Sequence, residues 1–328
     1  MEIGIIGGGL AGLGAARALL DRGFQPVIFD KGRGPGGRLS SRRTDLGTLD
    51  LGAQYATARN PEFRAKVFGW VRDDIARRWS LTPTVRPPPR KRFQRRGPAR
   101  FVGIPRMSAI ARHLTKDLDV RAATHVSSVA PDADGVRVRG EDGAELGCFD
   151  HVIVTVPAPQ AQRIAPPADT DVARAIEAVD FAPCWAAAFA IPGGEETLPE
   201  ACFINQGPIQ WLARNGAKPE REDGESVWVV HAGAEWSREW LEVDAETAAQ
   251  GLWEALREQW PDLPEAPAQS MAHRWRYARV TNPLERGTLA DTNGVSYAGD
   301  WVADGRLEGA WLSGRRAAQR LLESADQA

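Results

Sequence analysis

The chain has 328 residues, enough for two domains with their own cores. A hydrophobic fraction of 43% and a charged fraction of 26% are those of a globular protein, and 41 Lys plus Arg against 43 Asp plus Glu leave no global field to attract nucleic acid or an anionic membrane. Cys148, Cys184 and Cys202 stand far apart without CxxC or Cys/His spacing, so no zinc or other metal site is expected, and one disulfide stays open.

Ile3 to Ile6 reads as a short buried strand, followed by Gly7, Gly9 and Gly12 in GxGxxG spacing, an amphipathic helix to about Arg22, and a second strand ending at Asp30. Such a unit holds an adenine dinucleotide. Gly7 permits the turn out of the strand, Gly9 leaves room for a pyrophosphate to approach the backbone, and Gly12 lets the helix lie against the sheet. Free N–H groups at the helix start face the phosphates. Asp30, eighteen residues after Gly12, is placed to accept hydrogen bonds from the adenosine ribose hydroxyls. The first strand begins almost at Met1, and the apolar stretch behind it is broken by glycines and has no basic leader. It reads as fold rather than signal peptide, no run is long enough to span a bilayer, and a cytoplasmic location is the expectation.

A Gly- and Arg-rich loop, Lys31 to Arg43, leads to a predicted helix from Pro61 to Arg78 and then to a Pro- and Arg-rich connection over 82–100. The seven basic residues of that connection read first as a solvated loop and second as a site for a phosphorylated ligand. Ser108 is placed to cap a helix running to Thr115. A meander follows, with strands near Val120, His125 to Val129 and Val136 to Arg139, turns at Asp134-Gly135 and Asp142-Gly143, and a buried strand His151 to Val156 closed by Pro157.

From about Ala165 to Ser270 the texture changes. Strand runs at Cys184 to Ile191, Ala201 to Asn205, Pro208 to Ala213 and Ser226 to His231 precede a helix from Ala245 to Trp260. Eight of the twelve tryptophans lie between Trp185 and Trp275, as a core or as the wall of an aromatic pocket. The chain ends with a strand Gly294 to Tyr297, a loop through Gly299-Asp300, and a helix from Leu307 to Leu322. The expected fold class is α/β: a Rossmann-like dinucleotide domain from 1–73, 101–164 and 271–328, and an inserted domain of antiparallel β-sheet plus helices from 74–100 and 165–270.

Two strings go beyond the first motif. Asp30-Lys31-Gly32-Arg33-Gly34-Pro35-Gly36-Gly37-Arg38, and Tyr297-Ala298-Gly299-Asp300 with Leu307-Glu308-Gly309-Ala310, resemble the GGR and GD patterns of the flavin-containing amine oxidase superfamily. The resemblance implies FAD as cofactor. The loop of Lys31, Gly36 and Gly37 then brings backbone to the pyrophosphate, with a charge-assisted contact from Arg33 or Arg38. Gly299 and Asp300 meet the ribityl or pyrophosphate portion, the helix opening at Glu308, Gly309 and Ala310 points its positive end at the flavin, and the Val126 backbone holds the adenine.

The strings FDKGRGPGGRLSSRR, TLDLGAQY, HRWRYA and GDW…GRLEGAWLSGRRAA resemble the bacterial renalase branch from end to end of the chain. That resemblance implies a two-domain, p-hydroxybenzoate-hydroxylase-like architecture. It also implies oxidation of isomeric dihydronicotinamide dinucleotides to NAD(P)+, with hydride passing to flavin N5 and electrons to O2 to give H2O2. Arg106 and Ala56 depart from the renalase pattern, and with no Cys near the C-terminal motif the FAD is expected to be non-covalent.

Candidates for lining the reaction site are His273, Trp275, Gln54 and Tyr55, against the alternative of a strand with a satisfied polar edge. Arg276 meets either a substrate phosphate or a nearby carboxylate. With only Tyr55, Tyr277 and Tyr297 present, the paired-tyrosine cage of an amine oxidase is poorly supplied. Two other functions stay open: a flavin oxidase of amines or other small substrates, and a non-catalytic FAD- or NAD-binding module.

Overall fold

The structure is a computed structural model, and it describes residues 1–87, 97–221, 226–290 and 293–326. Apolar, β-branched runs build a six-stranded sheet in the order Leu289–Ala290, Val295–Tyr297, His151–Val154, Ile3–Ile6, Val27–Phe29 and Asp119–Arg121. All pairings are parallel except the first. Both faces of this sheet are covered, so Ile5, Leu13, Ile28 and Ile153 are wholly buried. The helices Leu10–Leu20 and Leu307–Ala325, from opposite ends of the sequence, pack on each other. The antiparallel meander Val126–Asp132, Gly135–Gly140 and Glu145–Phe149 links the outer strand back to the centre.

The second sheet has the order Gln269–Val280, Phe181–Ala190, Val227–Ala232, Ile209–Arg214, Ala201–Ile204 and Thr84–Arg86, antiparallel except for its last pair. Alternation along Phe181–Ala190 explains its position. Trp185, Ala187 and Phe189 point to one side, where Phe189 lies 5.1 Å from the Trp253 ring of the helix Ala245–Gln259. Ala186, Ala188 and Ala190 point to the other, and with no side chain beyond Cβ they let Leu49 and Leu51 of the first half close against the sheet.

The fold class is α/β as expected, with several boundaries moved. The cut at 271 falls inside the strand Gln269–Val280, which pairs along its length with Phe181–Ala190 and so belongs to the second sheet. The insertion does not begin at 165 either. Val172, Ile176 and Val179 share a core with Val152, Val154 and Tyr297, so the chain leaves the nucleotide half only near Phe181. The helix from Pro61 stops at Arg72, Asp74 takes a left-handed φ of 56°, and Ala76–Trp79 continues as a strand paired with Arg100–Gly103.

Ser108 does not cap its helix. It is the first helical residue, and its amide donates to Ser41 Oγ at 3.1 Å. Part of the Arg-rich connection is strand, and Arg86 stacks 4.7 Å over Trp260 and donates to the Gln259 carbonyl. Positions 88–96 of that connection lie outside the described residues. All three cysteines are free, and among the described residues no helix is long and apolar enough to cross a membrane.

Candidate cofactor and substrate site

The first loop is built around what a side chain would obstruct. A Cβ on Gly12 would lie 1.9 Å from the Gly7 carbonyl oxygen, so the helix approaches the strand as closely as backbone allows. At Gly9 the same construction meets nothing within 4 Å, leaving open space at the helix start, where no side chain caps the N–H groups and no acidic residue stands in the first turn. An anionic phosphate fits that arrangement of open space and unopposed donors.

Asp30 closes the loop. One carboxylate oxygen accepts from the Gly8 amide and the other from the Gly32 amide at 2.6 Å. Burial raises its pKa above the ordinary value, and the two amides act against that shift. Each oxygen keeps a second lone pair for a ribose hydroxyl. Gly36 donates to the Gly8 carbonyl at 2.8 Å, and the Cβ position of Gly37 is 3.6 Å from the Gly9 Cα, which fastens the two glycine loops together. Lys31 and Arg33 are exposed on the outer rim. Val126 opens the meander strand beside Asp30, since the Thr124 amide donates to the Asp30 carbonyl at 2.9 Å.

Arg38 and Asp300, expected as two separate ligand contacts, are joined. The guanidinium is bidentate, at 2.9 and 2.6 Å, and one of its nitrogens also donates to the Ala278 carbonyl at 2.9 Å. The pair ties both cofactor motifs to the second sheet. Gly299 donates to Ser313 Oγ at 3.0 Å, holding the GD turn on the last helix. The Glu308 carboxylate accepts the Arg59 and Asn60 amides, at 2.5 and 3.1 Å, and so secures the approach to the helix Pro61–Arg72, while its backbone stays in the first turn of the last helix. Gly309 admits the Asp304 turn at the helix start, and Ala310 is buried behind it.

The second sheet supplies a wall. Its register aligns His273, Ala186, His231, Trp211 and Phe203 across five strands on the face turned to the nucleotide half. Trp275 Nε1 and His231 Nε2 both donate to the Leu51 carbonyl at 3.0 Å, docking the wall on the 50–55 loop. Burial drives the His231 pKa down to about 4, while burial and then Arg42 lower His273, whose Nδ1 accepts from Arg42 at 3.1 Å. Both rings are neutral at neutral pH.

Tyr55 lies in an aromatic cluster, 5.7 Å from Trp211 and 6.3 Å from Trp79, with the Arg100 guanidinium 5.1 Å over its ring. Gln54 is buried with its amide fully engaged, so it supports the loop rather than facing a ligand. Arg276 pairs with the exposed Glu242 at 2.7 Å, which is the carboxylate alternative. Ala56 is buried and pairs with Phe101. Six of the eight tryptophans between Trp185 and Trp275 belong to the core under the helix Ala245–Gln259, while Trp211 and Trp275 face the wall side.

One cluster had no sequence signal beyond the DLG string. Asp50 meets Lys218 at 3.2 Å and Arg221 at 2.6 Å, all three buried at the junction of the halves. The two cations follow the strand Ile209–Arg214 in a stretch that reads as an ordinary polar turn.

Comparison with known proteins bears on the family and the fold. Residues 88–322 match the model of the flavin containing amine oxidoreductase family, and residues 5–68 match the NAD(P)-binding Rossmann-like domain. Among solved structures, a putative protoporphyrinogen oxidase from Exiguobacterium sp. 255-15 superposes with a TM-score of 0.78 at 13% identity, covering 98% of this chain and 99% of that one. Putrescine oxidase bound to putrescine gives 0.65 at 16% identity, with the same coverages. A zeta-carotene-forming phytoene desaturase from Myxococcus xanthus is 44% identical over 51 residues, which span 16% of this chain and 10% of that protein. The chain therefore belongs to the flavin-containing amine oxidoreductase family, and its cofactor is FAD.

Proposed function

We propose that this flavoprotein is an oxidase of isomeric dihydronicotinamide dinucleotides, converting substrate, O2 and a proton to NAD(P)+ and H2O2. FAD, when bound, supplies a two-electron acceptor that O2 reoxidises. Gly7, Gly9, Gly12 and Gly36 with Asp30 would hold its adenosine and pyrophosphate, and the Arg38–Asp300 pair would close over the remainder. The protein's own task is to position a planar donor ring and keep the wrong geometries out. A dihydronicotinamide needs little acid-base assistance, because its ring nitrogen lone pair drives hydride departure as the ring becomes aromatic.

The observation that carries this reading is the character of the wall. Its row of His273, Ala186, His231, Trp211 and Phe203 has no carboxylate, both histidines are neutral, and the charged groups beside it include the cations Arg42, Arg100 and Lys218. Such a surface suits a flat aromatic ring carrying phosphates and disfavours a cationic amine. The tyrosines do not pair into a cage. Tyr297 is buried with its hydroxyl donating to the Ala165 carbonyl, Tyr277 packs edge-on to Phe181, and Tyr55 sits in the Trp211 cluster. Anaerobic mixing tests the reading: dihydronicotinamide isomers should bleach the flavin rapidly, and air should restore its colour with peroxide release. Faster bleaching by putrescine or an aromatic amine would overturn it in favour of amine oxidation.

A further inference from the structure

The junction of the two halves buries more positive charge than it needs. The side chains of Asp50, Lys218 and Arg221 are 1%, 0% and 2% exposed, so two cations share one carboxylate in a dry site. Asp50 is already saturated. Its Oδ2 accepts from Arg221 at 2.6 Å and from Lys218 at 3.2 Å, and its Oδ1 accepts from Ser41 Oγ at 2.6 Å and the Met107 amide at 3.0 Å. Arg221, which also donates to the Gly103 carbonyl at 2.9 Å, is by itself a sufficient staple. A second buried cation carries a large desolvation cost that one shared carboxylate does not offset, so stability alone does not account for Lys218.

Lys218 also reaches the loop that carries Gln54. Its Nζ donates to Gln54 Oε1 at 3.0 Å, and the Gln54 amide donates on to the Gly52 carbonyl at 3.3 Å. Gly52 is pressed onto the GGR loop: a Cβ there would lie 2.1 Å from the Arg38 carbonyl oxygen, which also accepts the Ala53 amide at 2.9 Å. Gln54 and Gly52 thus link the surplus charge to the loop whose Arg38 holds Asp300. Low-dielectric surroundings extend its reach compared with water.

We propose that Lys218 is a positioning residue of electrostatic kind: a buried cation, in excess of the one carboxylate it shares among the described residues, that favours the more negative, reduced form of FAD and so raises the cofactor's midpoint potential. The proposal rests on FAD as the cofactor and is independent of which substrate delivers the electrons. Burial lowers the Lys218 pKa to about 8, with Asp50 opposing and Arg221 adding to the shift. Among the described residues, the other charged or titratable groups facing it are Asp50, held at about 2, Arg221, and His231 on the adjacent strand, at about 4. Within this cluster, Lys218 alone changes charge near pH 8. Negative charge added to the flavin raises the affinity of Lys218 for its proton, so reduction above pH 8 takes up a further fraction of a proton.

The test is the midpoint potential of the bound FAD, followed against pH for the wild type and at neutral pH for Lys218→Met and Lys218→Arg. The wild-type curve should steepen above about pH 8. Lys218→Met should shift to a more negative potential and lose that steepening, while Lys218→Arg keeps the neutral-pH value. Removing Lys218 leaves Asp50 balanced by Arg221, so the Met variant is expected to fold. A Met variant holding FAD at the wild-type potential overturns the proposal. Should that variant fail to retain FAD, the wild-type curve decides, and a curve that does not steepen above about pH 8 overturns it.

Discussion

The nucleotide half and the inserted sheet are held by different kinds of contact. Around Gly12 and Gly36 the backbone itself makes the contacts, and the buried acid Asp30 is satisfied by amides. Across the second sheet side chains make them, through an alanine face on one side and Trp and Phe under a helix on the other. A site made of backbone tolerates almost no substitution at the points of closest approach, whereas a wall of side chains can be repacked for a new substrate. The difference teaches where cofactor and substrate recognition are separately encoded.

The sharpest way to break that comparison is Gly12→Val beside Gly9→Ala. The first drives a side chain into the Gly7 carbonyl and should cost about 3 kcal/mol or more with loss of FAD, by thermal unfolding and flavin retention. The second places a methyl in open space, so the fold should survive while FAD binding weakens. Equal destabilisation by both would show that the loop is not shaped around a ligand.

Acid should strain both halves alike. His151 in the first sheet and His231 in the second are each lowered by burial to about 4 from 6.5, so the folded protein binds fewer protons than the unfolded chain. Stability from this source is complete above pH 6.5 and is lost as pH falls toward 4, by roughly 2–3 kcal/mol for each histidine. Denaturant titrations at several pH values check this, and His231→Gln should remove about half of the acid limb. An unchanged limb would place the acid sensitivity elsewhere.

Asp30→Ala should weaken FAD retention by about 2 kcal/mol, the scale for hydrogen bonds to a charged group, while flavin reduction at saturating FAD is much less affected. Equilibrium dialysis and single-turnover reduction separate the two effects; a large loss in the saturated rate would assign Asp30 a further role. The smallest effect is expected at Glu308. Glu308→Gln keeps an acceptor for the Arg59 and Asn60 amides, so it should cost under about 1 kcal/mol and leave FAD binding unchanged. A marked loss of FAD would give the Glu308 side chain a direct part in holding the cofactor.

The sequence by itself determined the nucleotide half, because close backbone approach leaves a mark that survives without neighbours: glycines at fixed spacing, then an acid at a strand end. It also supplied Arg38 and Asp300 as separate cofactor candidates. Their pairing across 262 positions of sequence had no local trace and was decided by tertiary structure. Glu308 shows a second kind of long-range contact, since the side chain of a residue inside a recognised motif is taken up by the start of a helix folded from positions 61–72. In the inserted half, alternation revealed most strands, but the registers that line up His273, His231, Trp211 and Phe203 arise only when the sheet assembles. The buried surplus of charge was least legible of all. Asp50, Lys218 and Arg221 lie on two turns 168 positions apart, and whether a turn lysine is solvated or dry depends on what the rest of the chain packs over it.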